Sequence, residues 1–267
     1  MDYGALISES IDYTRDALVG RWTTWLIFVL CGLPFALIRF VFDPKKIVTG
    51  ITIHWELIPW PQLILLVLAG FLLSFFMSGY VVRVYRGITP PPVFDNWGSL
   101  YLDGIRLMIV NVLWFVPVTL VFVVLLALLF LATAAAGAGS IALMLAAMLV
   151  IMLVAFVLLV ITILYSIVGN VRYARTGSIR EGIRYSAITS TIQTIGWGTY
   201  IIALLVLLVA GIIFTIVVSV LSIIPFVGWV IRPVLGPLFL VFSARYITRV
   251  YDHGIPRAPA PAPATAG

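Results

Sequence analysis

The residue types able to do covalent or metal chemistry are few in this 267-residue sequence. Cys31, its single cysteine, sits inside an apolar run. One thiol forms no intramolecular disulfide and alone holds no zinc, so its expected role is that of a small packing residue in a helix. His54 and His253 are far apart and lack HxxH or HExxH spacing, and no metal site is expected. The ten carboxylates fall between the apolar runs or at the chain ends. No GxSxG, paired-aspartate or Gly-rich phosphate loop occurs, and Ser74 and Ser78 have no base nearby in their run. No catalytic residue and no cofactor emerge, so an enzyme is not expected. An ion-coupled carrier buries a charged group near the bilayer midplane. The best polar candidates here are Asn111 and Asn170, both near the ends of apolar runs. An uncharged pore or lipid carrier stays compatible with them. A transporter or channel-like permease for an unknown solute or lipid is therefore the alternative to a non-enzymatic binding role.

The least generic segment is Pro90-Pro91-Pro92-Val93-Phe94-Asp95-Asn96-Trp97. Consecutive prolines impose an extended approach with no backbone donors to satisfy. Asp95 or Asn96 can then cap a following helix by accepting from its free amides. On that helix Asp95, Ser99, Asp103 and Arg106 share one face, and Phe94, Trp97, Tyr101 and Ile105 share the other. Such a helix would lie in the headgroup layer, with Trp97 toward the membrane and Asp103 toward water. Phe94, Asp95, Asn96, Trp97 and Asp103 are therefore candidate contacts for lipid or a partner. Arg172 and Arg175 join them as candidates for anionic headgroups.

The elements that must position these residues are apolar helices. The sequence is 63% hydrophobic and 10% charged, against roughly 45–50% and about 25% in soluble domains. Lipid must be the solvent for most of this surface. The expected fold is all-α: a polytopic helical membrane protein with about six transmembrane helices in one domain, 1–254. The spans read as 22–42, 61–82, 107–132, 141–168, 197–222 and 233–248. Segment 133–140, with Gly137 and Gly139, reads as a tight hairpin, and Pro225, Gly228 and Pro233 separate the last two spans. Residues 255–267, rich in Pro and Ala, read as a disordered tail. The first 20 residues carry Asp2, Glu9, Asp12 and Asp16 and no continuous apolar run, so the first span is expected to act as an uncleaved insertion signal.

Charge sets the expected orientation. Arg15, Arg21, Arg83, Arg86, Arg106, Arg172, Arg175, Arg180, Arg184, Arg245, Arg249 and Arg257 fall on one side of a six-span topology. Arg39, Lys45, Lys46 and Arg232 fall on the other. The first side, with both termini, should face the cytoplasm of a cell-membrane protein. The same asymmetry explains the net charge of +6 without nucleic acid as a partner.

A repeat underlies the spans. The even-numbered ones end in Gly79–Gly87, Gly169–Gly177 and Ala244–Tyr251, each combining Arg, Tyr and Arg, with Gly87, Gly177 and Gly254 following. The cations suit the helix C-terminal dipole and headgroups, Tyr suits the interface, and Gly ends the helix. An amphipathic stretch precedes each odd-numbered span. In the first, Ile7, Ile11 and Leu18 oppose Glu9, Asp12 and Asp16; in the third, Ile179 and Ile183 alternate with Arg180, Glu181 and Arg184. The unit is interfacial helix, span, span, three times over, and parallel copies of it suggest a pseudo-threefold bundle. Gly70, Ser74 and Ser78 on the second span, and Ala142 and Ala146 on the fourth, are spaced for close helix contact.

Arg83–Arg86, Pro91–Trp97 with Asp103-Gly104, Ile224-Pro225-Phe226-Val227-Gly228-Trp229, and Ala244-Arg245-Tyr246 together resemble a largely archaeal membrane-protein family catalogued as domain of unknown function 4013. The resemblance runs from about Thr14 to Gly254. It implies the membrane architecture and supplies no catalytic residue. The expected role is a non-enzymatic membrane scaffold or interaction module, with membrane lipids and a protein partner at its cytoplasmic face.

Overall fold

The computed structural model describes residues 1–43, 47–49, 52–136, 141–224 and 227–254. Of the hairpin expected at 133–140, residues 133–136 are helical and 137–140 lie outside the described residues, as does the tail expected at 255–267. Helix α1, Tyr3–Leu18, starts where the Asp2 carboxylate accepts from Ala5 N at 3.1 Å. The spans follow as α2 (Trp22–Val41), α3 (Trp60–Tyr85), α4 (Trp97–Ala136) and α5 (Ile141–Thr176). The short helices α6 (Ile179–Gly182) and α7 (Tyr185–Ile195) lead to α8 (Trp197–Leu221) and α9 (Gly228–His253). Between α2 and α3, Val48–Thr49 pairs antiparallel with Thr52–Ile53.

Six of these helices, α2, α3, α4, α5, α8 and α9, are long and apolar enough to cross a membrane. Their outer faces carry large apolar side chains such as Leu65, Phe130 and Leu149, each about two-thirds exposed or more. Water would penalise that surface at about 25 cal/mol per Å², whereas hydrocarbon does not. The helices are arranged in two shells. α3, α5 and α9 touch one another pairwise, α2 lies against α3 and α9, α4 lies against α3 and α5, and α8 lies against α9. Side-chain burial concentrates at the C-terminal ends of α3, α5 and α9, where Tyr80, Val82, Val171, Tyr173 and Tyr246 are almost wholly enclosed.

Several boundaries differ from the sequence expectation. The stretch before the third span is not a separate interfacial helix, because α4 runs unbroken from Trp97 and nothing between Asp103 and Leu107 interrupts it. At 1.5 Å per residue α4 is about 60 Å long. The sixth span begins at Gly228, with Pro233 and Pro237 inside the helix. Each proline there forfeits one i→i−4 bond, a loss that membrane helices tolerate when neighbours pack closely. The third amphipathic element is chiefly α7, buried through Ile188, Ile192 and Ile195. On α1 the buried stripe is Ser10, Tyr13, Thr14 and Ala17 with Leu18, while Ile11 is 53% exposed; the helix is docked on α9. The tightest helix crossing also differs. A Cβ on Gly79 would stand 1.9 Å from Leu100 O, and one on Gly104 1.9 Å from Phe75 O. α3 and α4 therefore meet backbone to backbone through Gly79 and Gly104 rather than along Ser74 and Ser78. Gly70 packs on the Phe35 ring, and Ala146 is exposed.

Candidate functional site

The arginines that end each inner span organise one end of the bundle. At the end of α3, Arg83 donates to Val93 O and Asp95 O at 2.8 Å each, and also to the Asp95 carboxylate. Arg86, three residues on, pairs with Asp103 at 2.8 Å. At the end of α5, Arg172 donates to Glu181 from Nε at 3.1 Å and from Nη2 at 2.5 Å. At the end of α9, Arg245 and Arg249 each donate at 2.8 Å to Glu9 on α1. Each exit helix thus holds the entry element of the next copy, and the last exit holds the first entry. The three exits are also joined to one another. Arg86 Nε donates to Ala174 O at 3.3 Å, Arg175 pairs with Asp252 at 2.6 Å, and Thr248 Oγ1 donates to Val84 O at 3.3 Å. The ion pairs close a ring, and this geometry gives the weak sequence repeat a physical basis.

Electrostatics follow from the ring. Burial pushes the Glu9 carboxyl upward, but hydrogen bonds and charge from Arg245 and Arg249 outweigh it, so Glu9 is held below the ordinary value of 4.5. Arg172 and Arg184 hold Glu181 below that value as well. Tyr13 donates to Ile88 O at 3.0 Å, with the Arg245 guanidinium 4.4 Å from its ring centroid. Burial raises its phenol to about 12 against the smaller opposing pull of Arg245 and Arg21.

The chain matches the family described as "Protein of unknown function (DUF4013)" over residues 62–223, more than half its length. It belongs to that family. No curated protein and no solved structure matches it. The DUF4013 match takes in α3 to α8 and the elements Arg83–Arg86, Pro91–Trp97 and Asp103-Gly104; the 224–229 and 244–246 pieces fall beyond it.

In this DUF4013 chain the candidate contact residues are drawn into the molecule to different degrees. Phe94 packs against Phe28 and Tyr80, with ring centroids 5.1 Å away in each case, and stacks on Trp97 at 5.7 Å. It therefore packs as part of the bundle. The Asp95 carboxylate takes Arg83 instead of capping α4, and Asn96 turns the chain into the helix with φ of 42°. Trp97 remains 47% exposed. Asp103 does not face water: it is 6% exposed, and its backbone carbonyl accepts from Tyr173 at 3.3 Å. The reason is Arg86, which follows α3 to the same depth and neutralises the carboxylate there. Arg172 and Arg175 are committed to Glu181 and Asp252.

The exit tyrosines are likewise buried and not interfacial: Tyr80 and Tyr246 are fully enclosed, and Tyr246 donates to Ala203 O at 3.1 Å. Asn111 and Asn170 come together, with Asn170 Nδ2 donating to Asn111 Oδ1 at 3.0 Å and Asn111 Nδ2 donating to Leu107 O at 3.0 Å.

Glu9, Glu181 and Asp252 are the residues whose importance the spacing does not disclose. The available signal was that the entry and exit segments hold both signs of charge in corresponding places. The cations left outward at this end are Arg15, Arg106 and Arg184, each more than half exposed, and Arg180, which has no ion pair among the described residues.

Proposed function

We propose that this chain is a non-enzymatic, multi-pass protein of the cell membrane whose ion-paired end faces the cytoplasm and organises lipids or a protein partner there. The orientation is supported by the division of cations, twelve on that side against four on the other. The observation that carries the role is the construction of the cap. Three entry elements are locked to three exit helices by ion pairs, while Arg180, the half-exposed Trp97 and the locally paired Arg15, Arg106 and Arg184 face outward. A fixed plate with a basic, aromatic rim suits anionic headgroups or an acidic partner surface, at about 1 kcal/mol per basic residue near a charged membrane.

Transport is less well supported. Phe28, Tyr80, Phe94 and Trp97 form an aromatic cluster beneath the cap, and Asn111 and Asn170 are bonded to each other. The test is reconstitution with headgroup-proximal spin-labelled lipids, together with a solute-flux survey. Anionic lipid should be motionally restricted in preference to zwitterionic lipid. That preference should fall in Arg180→Gln and at high salt, because screening shortens its reach. Absence of lipid selectivity, together with saturable flux abolished by Asn111→Leu, would replace this reading with a permease.

A further inference from the structure

At the opposite end of the bundle, α2, α3, the end of α8 and the start of α9 line a half-open cavity of about 690 Å³. That volume lies within the range of about 300–1,000 Å³ typical of ligand pockets. Its inner end is closed by the fully buried Phe28, which meets Tyr80 and Phe94 edge to face. Arg39 of α2 and Arg232 of α9 line the other end. From Phe28 to Arg39 the helix rises about 16 Å, close to one leaflet of a hydrocarbon core about 30 Å thick.

The walls leave room through small residues. Gly32 faces Pro233, whose Cβ is 3.4 Å from where a Cβ on Gly32 would stand, and a Cβ on Gly236 would meet nothing within 4 Å. Gly228 and Trp229, from the 224–229 element, complete the rim. Gly228 is there because any Cβ would strike Ser222 O at 2.0 Å. Arg232 and Gly236 also line an adjoining recess of about 200 Å³ between α8 and α9.

The charges at this rim contrast with those of the cap. Among the described residues neither Arg39 nor Arg232 has an ion pair, and no carboxylate lines the cavity. The guanidinium of Arg39 rests 5.6 Å from the Phe40 ring centroid. The N-terminus of α9 has no side-chain cap, so its dipole adds positive potential at the same rim. An apolar bed one leaflet deep, ending in two cations that have no ion pair among the described residues, is complementary to a molecule with an apolar tail and an anionic head. A soluble anion would use the arginines and leave the bed empty.

We propose that this cavity binds one anionic phospholipid from the leaflet facing that end, with its phosphate between Arg39 and Arg232 and an acyl chain running toward Phe28. The second chain lies along the adjoining recess. The site is independent of the cap, and its test separates the two. Full-length protein in detergent is examined by native mass spectrometry with equimolar phosphatidylglycerol and phosphatidylcholine of different mass. One phosphatidylglycerol should be retained in preference. Arg39→Gln and Arg232→Gln should each reduce the preference roughly fivefold, and the pair about 25-fold. Arg180→Gln, at the cap, should leave it unchanged. A preference lost in Arg180→Gln but kept in the Arg39→Gln/Arg232→Gln double variant would place the retained lipid at the cap and overturn the proposal. At Gly236 a Cβ would meet nothing within 4 Å, so Gly236→Leu should fill the cavity and expel either lipid while helicity and melting temperature are kept. Glycerol 3-phosphate, a head without chains, should not displace the bound lipid. Equal retention of both lipids by the parent, retention in Gly236→Leu, or a preference within about twofold of parent in the double variant would overturn the proposal. Displacement by glycerol 3-phosphate would overturn it in favour of a soluble-anion site.

Discussion

Glu9→Gln removes one charge from the contact that joins the two ends of the chain. Gln keeps the shape and one acceptor oxygen, but its amide nitrogen turns a donor toward one of the two arginine donors. The Arg245 side chain is 7% exposed and that of Glu9 is 37% exposed. Stripping a partner from a buried pair costs about 3–5 kcal/mol, and an exposed pair is worth about 0–1 kcal/mol. With one partner buried and the other over a third exposed, the expected loss is about 2 kcal/mol. It should fall on the docking of α1 on α9, where the buried stripe of α1 is Ser10, Tyr13, Thr14, Ala17 and Leu18 and Tyr13 also meets Arg245. Hydrogen exchange in detergent reads this locally: amides of α1 should open roughly 30-fold more often. Those in the middle of α4 should not change. Exchange of α1 within about threefold of the parent would show that the Glu9 contacts do not hold the helix, and ring closure would fail with them.

Gly104→Ala forces a Cβ onto Phe75 O and should cost about 1–3 kcal/mol in melting experiments, whereas Ser74→Leu, on the half-buried face of α3, should cost much less; the reverse order would move the α3–α4 crossing. Both Glu9 and Glu181 are held below the ordinary value of 4.5, so their contribution is present above it and is lost as pH falls through their lower folded values. Exchange from α1 and α6 should accordingly accelerate below about pH 4.5 in the parent, and the acid-dependent part should vanish from α1 in Glu9→Gln; a flat profile in the parent would contradict it. Asp103→Ala should lower thermal stability, because Arg86 is left facing a buried void, and an unchanged melting temperature with altered lipid binding would return Asp103 to the surface role its sequence position suggests.

Much of the architecture was legible because apolar length is a direct physical demand of the bilayer. The spans expected at 22–42 and 197–222 end within a residue of α2 and α8. The exit arginines were legible as chemistry suited to helix C-termini, but not as buried hubs. Arg83 looks like any membrane-exit cation until the Pro91–Asn96 segment folds back to offer Val93 O, Asp95 O and the Asp95 carboxylate. The 3.6-residue period puts Asp103 and Trp97 on different faces of one helix, yet that helix seen alone cannot disclose that the neighbouring helix brings Arg86 to Asp103. The Glu9–Arg245 pair spans 236 positions and has no local signal at all. α7 carries Ile188, Ile192 and Ile195 at helical spacing, but from sequence the third amphipathic stretch reads as 179–184, because Gly182 and Gly196 on either side make the region read as a loop.

The proposed cytoplasmic role and the lipid cavity require the ion-paired cap and the Arg39–Arg232 rim to lie on opposite sides of a membrane. Single-cysteine labelling in sealed vesicles of known orientation tests this most directly, in a Cys31→Ser background that removes the one native thiol. Ser99 on the cap and Trp55 before α3 are both exposed. A cysteine at 55 should react with an impermeant maleimide from outside. One at 99 should react only after the cytoplasmic side is opened. Labelling of position 99 from outside, or of both positions from the same side, would contradict the membrane topology on which the cap and the cavity are assigned their roles.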